Sequence, residues 1–188
     1  MSTTLIRPTV DANTILQFWF NELKQKDWFD ADTKLDNLIR ERFLDIYQKA
    51  SAGELYTWRE TDEGRLAEII ILDQFSRNIF RGHKKAYATD DMALVLAQEA
   101  IANEADKSLS PEHKAFMYMP FMHSESKAIH EIAVKLFSQP GLESNLDYEM
   151  KHKSIIDRFG KFPHRNKILD RESSMAEIEF LKEPGSSF

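Results

Sequence analysis

The chain has 188 residues, 25 Lys and Arg against 31 Asp and Glu for a formal net charge of −6, and no cysteine. That length suits one domain, which buries roughly 70% of the surface its unfolded chain exposes. The missing cysteines exclude disulfides, thiolate metal sites and cysteine nucleophiles and fit a reducing, cytoplasmic setting, while the acidic balance leaves no basic footprint for nucleic acid.

The start, MSTTLIRPTV, lacks a signal peptide's apolar core. Ile69–Leu72, the longest strongly apolar run, is far too short to cross a bilayer, so no membrane partner is expected. From there on apolar residues recur with helical period and nowhere alternate as a strand. The expected fold class is all-α, a single helical domain over 1–188 with a flexible tail at 183–188. The pattern predicts helices over 11–25, 30–52, 62–80, 89–104, 111–119, 120–138, 142–159, 163–170 and 174–183. Several ends have stated causes. Thr61 caps a first turn carrying Asp62 and Glu63. Ser110 precedes Pro111, a cap followed by proline at the first helical position. Ser174 with Glu177 reads as a capping box. Gly82 and Gly160 stand where left-handed C-terminal caps belong. Pro120 either opens a new helix or kinks a continuous one.

Two stretches, LDQFSRNIFRG at Leu72–Gly82 and FGKFPHRN at Phe159–Asn166, put charged and amide side chains where burial is expected. The helix at 62–80 is apolar around most of its circumference, so protein surrounds it. Asp73 and Arg77 are i,i+4 partners within it, and Asn78 and Arg81 extend the polar group. Glu125 falls in the apolar stripe of 120–138, where a carboxylate needs a partner, such as an arginine from another helix, or a raised pKa. His123 sits on another face, aligned with His130. His152 shares a stripe with Ile155, Ile156 and Phe159. His164 and Arg165 fall in the first turn of 163–170, where the helix dipole disfavours cations. An acid such as Asp73, Glu125 or Asp157, or a bound anion, must compensate there. The i,i+4 histidine pair of a helical zinc site is absent, so no metal is expected, and no phosphate loop or dinucleotide fingerprint calls for a cofactor. The aromatics Trp19, Phe20, Trp28, Phe29 and Trp58 read as core and loop packing.

The order FWF, GRLAEIIILDQFSRNIFRG, AYATDDMAL, FMYMPFMHSES and HKSIIDRFGKFPHRNKIL closely resembles the bacterial domain of unknown function family 924 over about residues 15–182. The resemblance implies an antiparallel helix array like the tetratricopeptide folds, of about eight to nine helices, and supplies no reaction. Ser76, Lys161 and Asp170 depart from the family pattern, which often has proline, arginine and glycine there. Asp170 makes a tight turn less easy.

Two functions compete. In one, Asp73, Arg77, Asn78, Arg81, His164, Arg165 and Asn166 hold an anionic small molecule, with Glu125, His123 or His152 as acid or base. In the other, the domain is a helical scaffold for a protein partner and the polar cluster is structural. RNA binding through the basic stretch Lys151–Arg165 is the weakest reading, given the net acidity.

Overall fold

Side-chain caps set most helix starts in the computed structural model, which describes residues 10–188. The reading of the first nine residues lies outside it. Helix α1 (Ala12–Gln17) starts on Asp11, which accepts from the Thr14 amide at 2.8 Å. Helix α2 (Thr33–Ser51) starts on Asp32, and α3 (Asp62–Ile70) on the Thr61 hydroxyl. Helix α4 (Ser76–Ile79) continues α3 through a π-turn, and α5 (Asp90–Ala102) follows. Helix α6 (Pro111–Met122) has the Ser110 cap with Pro111 in its first turn. Then come α7 (Lys127–Phe137), α8 (Glu143–Phe159), which ends on Gly160 at φ +71°, and α9 (Met175–Phe180) behind the Ser174–Glu177 capping box. No strand occurs among the described residues. No helix among them is long and apolar enough to cross a membrane.

Four expected helices differ in ways that matter. The stretch 62–80 is not one regular helix: a π-turn at Ile71–Phe75 separates α3 from α4. Such a turn re-phases the backbone and is common at functional sites. Side chains take two of its carbonyls, Thr89 Oγ1 donating to Leu72 O at 2.7 Å and Ser76 Oγ to Asp73 O at 3.1 Å. The stretch 11–25 likewise breaks, into α1, a π-turn at Phe18–Glu22 and then a 3-10 turn at Gln25–Trp28. Pro120 lies inside α6, and the break comes after Met122, where Ser124, Glu125 and Ser126 form a loop. Glu125 is therefore not part of a helical stripe. The stretch 163–170 is only a 3-10 turn at Pro163–Arg165 followed by turns, so no long helix dipole acts on His164 and Arg165.

Helices α5 to α8 pack in chain order, and their short connections turn each back along the last. Helix α1 packs on α3, and α2 packs on the π-turn and α4. Leu66, Ile69, Ile70, Ile71 and Leu72 have no exposed surface, as the all-round apolar pattern requires. The ring of Phe75 meets Phe43 at 5.0 Å and Trp19 at 5.5 Å between centroids, at the centre of the main core. A second, smaller cluster joins Ile155, Ile156, Phe162 and Phe180.

Two backbone positions give sharp stability tests. A Cβ on Gly64 would stand 1.9 Å from the Trp58 carbonyl oxygen and 2.8 Å from Thr61 Oγ1, so Gly64→Ala must push the 3-10 turn at Tyr56–Glu60 off α3. Urea unfolding should show a loss of about 2–4 kcal/mol. Asp170 adopts φ +55°, the left-handed conformation that the resemblance assigned to glycine. Asp170→Gly should stabilise the protein by about 0.5–1 kcal/mol in the same assay, because glycine reaches that region without the side-chain penalty.

Candidate functional site

The π-turn places Asp73 in the interior with 1% of its surface exposed. Its Oδ1 lies 2.7 Å from His123 Nδ1, and its Oδ2 accepts from Gln74 Nε2 at 2.5 Å. Arg77 Nη1 lies 3.4 Å from Asp73 Oδ1 and also donates to the Asp73 carbonyl. Burial alone would raise the Asp73 pKa, but His123, Arg77 and these hydrogen bonds overcome it and hold the carboxyl well below its usual range. Burial, then the Arg77 charge, depresses His123. The consistent assignment is an ionised Asp73 accepting from the Nδ1–H of a neutral His123. His123 Nε2 then carries a lone pair, makes no hydrogen bond to a described residue and belongs to a ring that lines a cavity.

Arg77 grips Asp90 at the start of α5 with both terminal nitrogens, at 2.9 and 3.0 Å. Asp90 also lies 3.4 Å from Arg165 Nη1. Asp90 is therefore the acid in contact with Arg165, and Glu125, one of the acids expected, adds charge from farther off; Asp73 and Asp157 do not serve. Asp90 compensates weakly, since the contact is long and Arg77 already holds both oxygens. Arg165 is 6% exposed, donates from Nη2 to the His123 carbonyl at 3.1 Å, and leaves Nε without a partner. Its guanidinium is sandwiched between the rings of Tyr87 at 4.7 Å and Phe162 at 4.6 Å. Burial and the nearby Arg77 charge lower its pKa: Arg165 is a cation short of counter-charge. Arg81, by contrast, is paired with Asp36 at 2.6 and 2.9 Å, and Asn78 donates to the same carboxylate at 2.9 Å.

These groups border a cavity of about 380 Å³. Arg77, Asn78, Arg81, His123, His164 and Arg165 supply polar wall; Trp28, Met119, Met122, Phe162, Tyr148 and Phe188 supply apolar wall. Asp30, the one acidic side chain among the described residues of the wall, is exposed. His152 lies between, its Nδ1–H donating to the Tyr148 carbonyl at 2.8 Å. A smaller cavity of about 210 Å³ lies behind Tyr87, His123 and Arg165, which line both.

A family model described as bacterial protein of unknown function (DUF924) matches residues 15–185. The chain belongs to that family. The structure of a protein of unknown function from Agrobacterium tumefaciens is similar at 40% identity and a TM-score of 0.86, covering 91% of this chain and 96% of that one. No curated protein matches. Among the described residues of this DUF924 chain, no group of three or more His, Cys, Asp or Glu is placed to hold a metal.

The expected site residues divide into three sets. Arg77, Asn78, Arg81, His123, His152, His164 and Arg165 reach the large cavity. Asp73 stands behind it, orienting His123. Glu125 and Asn166 belong to a separate staple. Glu125 accepts from Arg171 at 2.5 and 2.9 Å and from the Phe162 amide at 2.8 Å, and Arg171 Nε donates to Asn166 Oδ1 at 3.0 Å. The staple arginine thus comes from a loop and not from another helix, and Glu125 has its pKa lowered, not raised. His130 is fully buried against Glu149 at 2.7 Å and takes no part in the cavity. Asp36 and Tyr87 escaped the site reading, and Asp90, a position of the family pattern within AYATDDMAL, was not assigned to it. Asp36 had a signal, since it shares a buried stripe of α2 with Ile39 and Phe43.

Burial pushes His152 down to about 3 and His164 down to about 4, with the Arg165 charge contributing to both. Together with the lowered His123, three histidines are neutral in the fold and bind protons once unfolded, near pH 6.5. The unfolded state thus binds more protons below that pH, and stability is lost as pH falls from about 6.5 toward 4. Urea unfolding at pH 5 should give up to about 2 kcal/mol less stability than at pH 7.5 for each of His152 and His164. His152→Gln should lose less on acidification than the parent; an equal loss would remove His152 from the account.

Proposed function

We propose that this DUF924 protein binds an anionic small molecule in the large cavity, with Arg165 and His164 meeting the negative group and His123 placed to accept a proton. The observation that carries the reading is a pair of orphaned nitrogens. Four buried side-chain polar atoms lack a hydrogen-bond partner among the described residues, and two of them, His164 Nδ1 and Arg165 Nε, belong to adjacent residues on this wall. Buried polar groups are nearly always paired, and each unpaired one costs about 1–3 kcal/mol. The Glu125–Arg171 staple leaves none, and the other two lie away from this wall, on Trp19 and on Glu149 of the buried His130–Glu149 pair. The Asp73–His123 pair adds chemistry to binding: an imidazole fixed by a carboxylate at Nδ1 and open at Nε2 is the arrangement of an oriented general base. The scaffold alternative draws on exposed aromatics at the mouth and treats the polar cluster as structural; the orphaned nitrogens favour the small molecule.

The test is thermal unfolding against a panel of carboxylate and phosphate metabolites. A binder at a hundred times its dissociation constant stabilises by about 2.7 kcal/mol, a rise of about 5–10 °C for a chain of this length. Arg165→Ala should remain folded, because Asp90 keeps its two bonds to Arg77, and should lose the rise. A panel that leaves the melting temperature of the parent protein unmoved would overturn the reading.

A further inference from the structure

The mouth of the cavity holds an aromatic ring supplied by the protein itself. Phe188 lies face to face with His152, centroids 3.8 Å apart and planes 20° apart, and meets the His164 ring edge-on at 6.3 Å. It is nonetheless 51% exposed, so the imidazole face of His152 is its main seat and the other side of the ring faces out. A phenylalanine that merely anchored a tail would bury more of itself. Exposed aromatics stand around it, Tyr148 at 52% and Phe29 at 65%, both on the cavity wall. Inward from the seat, the rings continue. His152 lies 5.7 Å from Phe162 and 6.4 Å from His123, and Phe162 forms one side of the Arg165 sandwich. A flat ring resting on His152 therefore has the proton acceptor His123 and the undercompensated Arg165 within the same cavity. One wall of the cavity stacks rings and the other neutralises an anion, so its natural complement is a molecule with both parts.

We infer that the ligand is an aromatic acid, a carboxylate or phosphate borne by a planar ring, whose ring stacks on His152 and displaces Phe188 from that seat. This rests on the anion-binding reading above and adds the ring. Phe188 acts as an internal competitor: while it occupies the seat, the apparent affinity is reduced by the fraction of molecules in which the seat is free.

The experiment titrates the full-length protein calorimetrically with two pairs of probes, 3-phenylpropionate against propionate and phenyl phosphate against inorganic phosphate. At least one ring-bearing probe should bind the parent more tightly than its ringless partner. Phe188→Ala should tighten that probe about tenfold and leave the ringless partner unchanged. His152→Ala should weaken it about three- to tenfold, the factor that one aromatic stacking pair contributes. Equal affinities within each pair, unmoved in both variants, would overturn the ring seat while leaving the anion site standing. Binding of none of the four probes to any variant would overturn both. Tighter binding of ringless and ring-bearing probes alike in Phe188→Ala would make Phe188 a simple steric block and also overturn the ring seat. Phe188 is half exposed and His152 bonds only within its own helix, and circular dichroism of each variant checks that the fold in which the comparison is made is retained.

Discussion

A buried carboxylate in the middle of a helix that is apolar on all sides is the constraint from which the site follows. Asp73 has almost no contact with solvent, and an ionised carboxylate there is tolerable only with charge and hydrogen bonds around it. The π-turn turns Asp73 so that His123 and Gln74 reach its two oxygens while Arg77 approaches from one turn on. Arg77 then requires more counter-charge than one shared acid gives, and takes both oxygens of Asp90. The alternation ends at Arg165, which finds Asp90 already engaged. The sequence of demands thus runs Asp73, Arg77, Asp90, Arg165, and the last member is left incompletely satisfied at the wall of a cavity.

That cavity lies along a seam. Met119 and Met122 belong to the main core, Phe162 to the smaller cluster near the end of α8, and all three line it. Two clusters that pack independently leave space between them, and the segment that bridges them carries His164 and Arg165 of the proposed site. This segment, 162–166, has no helix of its own beyond a single 3-10 turn. The Glu125–Arg171 pair holds it, together with bonds from Arg171 to the Phe162 carbonyl and to Asn166. Asp170 in a left-handed conformation precedes Arg171, and that turn begins the arginine's return toward Glu125. Asp170, the departure from the family pattern that bears on a tight turn, is therefore coupled to the shape of the site.

Periodicity made the helices legible, and capping made their ends so: Thr61, Ser110, Ser174 and Gly160 all act as the local chemistry dictates. Periodicity also misled where tertiary demands override it. Nothing in ILDQF distinguishes a π-turn from an α-turn, because the rearrangement is driven by bonds to His123 and Thr89, which lie far along the chain. Reading 120–138 as a helix put Glu125 on a stripe it never joins, since a serine-flanked acid takes side-chain and loop partners more readily than helical ones. The polar residues of the cavity were visible as charges out of pattern. Its aromatic wall was not, because Trp28, Tyr148 and Phe188 look like ordinary packing residues until three distant segments converge.

What separates this polar cluster from a structural one is where its imbalance falls. Arg81 with Asp36, Glu125 with Arg171 and Arg59 with Glu68 are each two-point pairs that close on themselves. Bidentate geometry of that kind satisfies both charges and gains little from a third partner. Arg165 is built differently: it stacks on two rings, shares a distant acid and, though 6% exposed, lines the cavity. Aromatic faces stabilise a guanidinium while leaving its N–H groups unused. A cation stabilised in this way is held rigidly and still has donors to offer, which is the condition for recognising an anion at low reorganisation cost. Rigid placement, unspent donors and an oriented imidazole in one cavity are three separate properties, and together they are what the proposed anion site draws on.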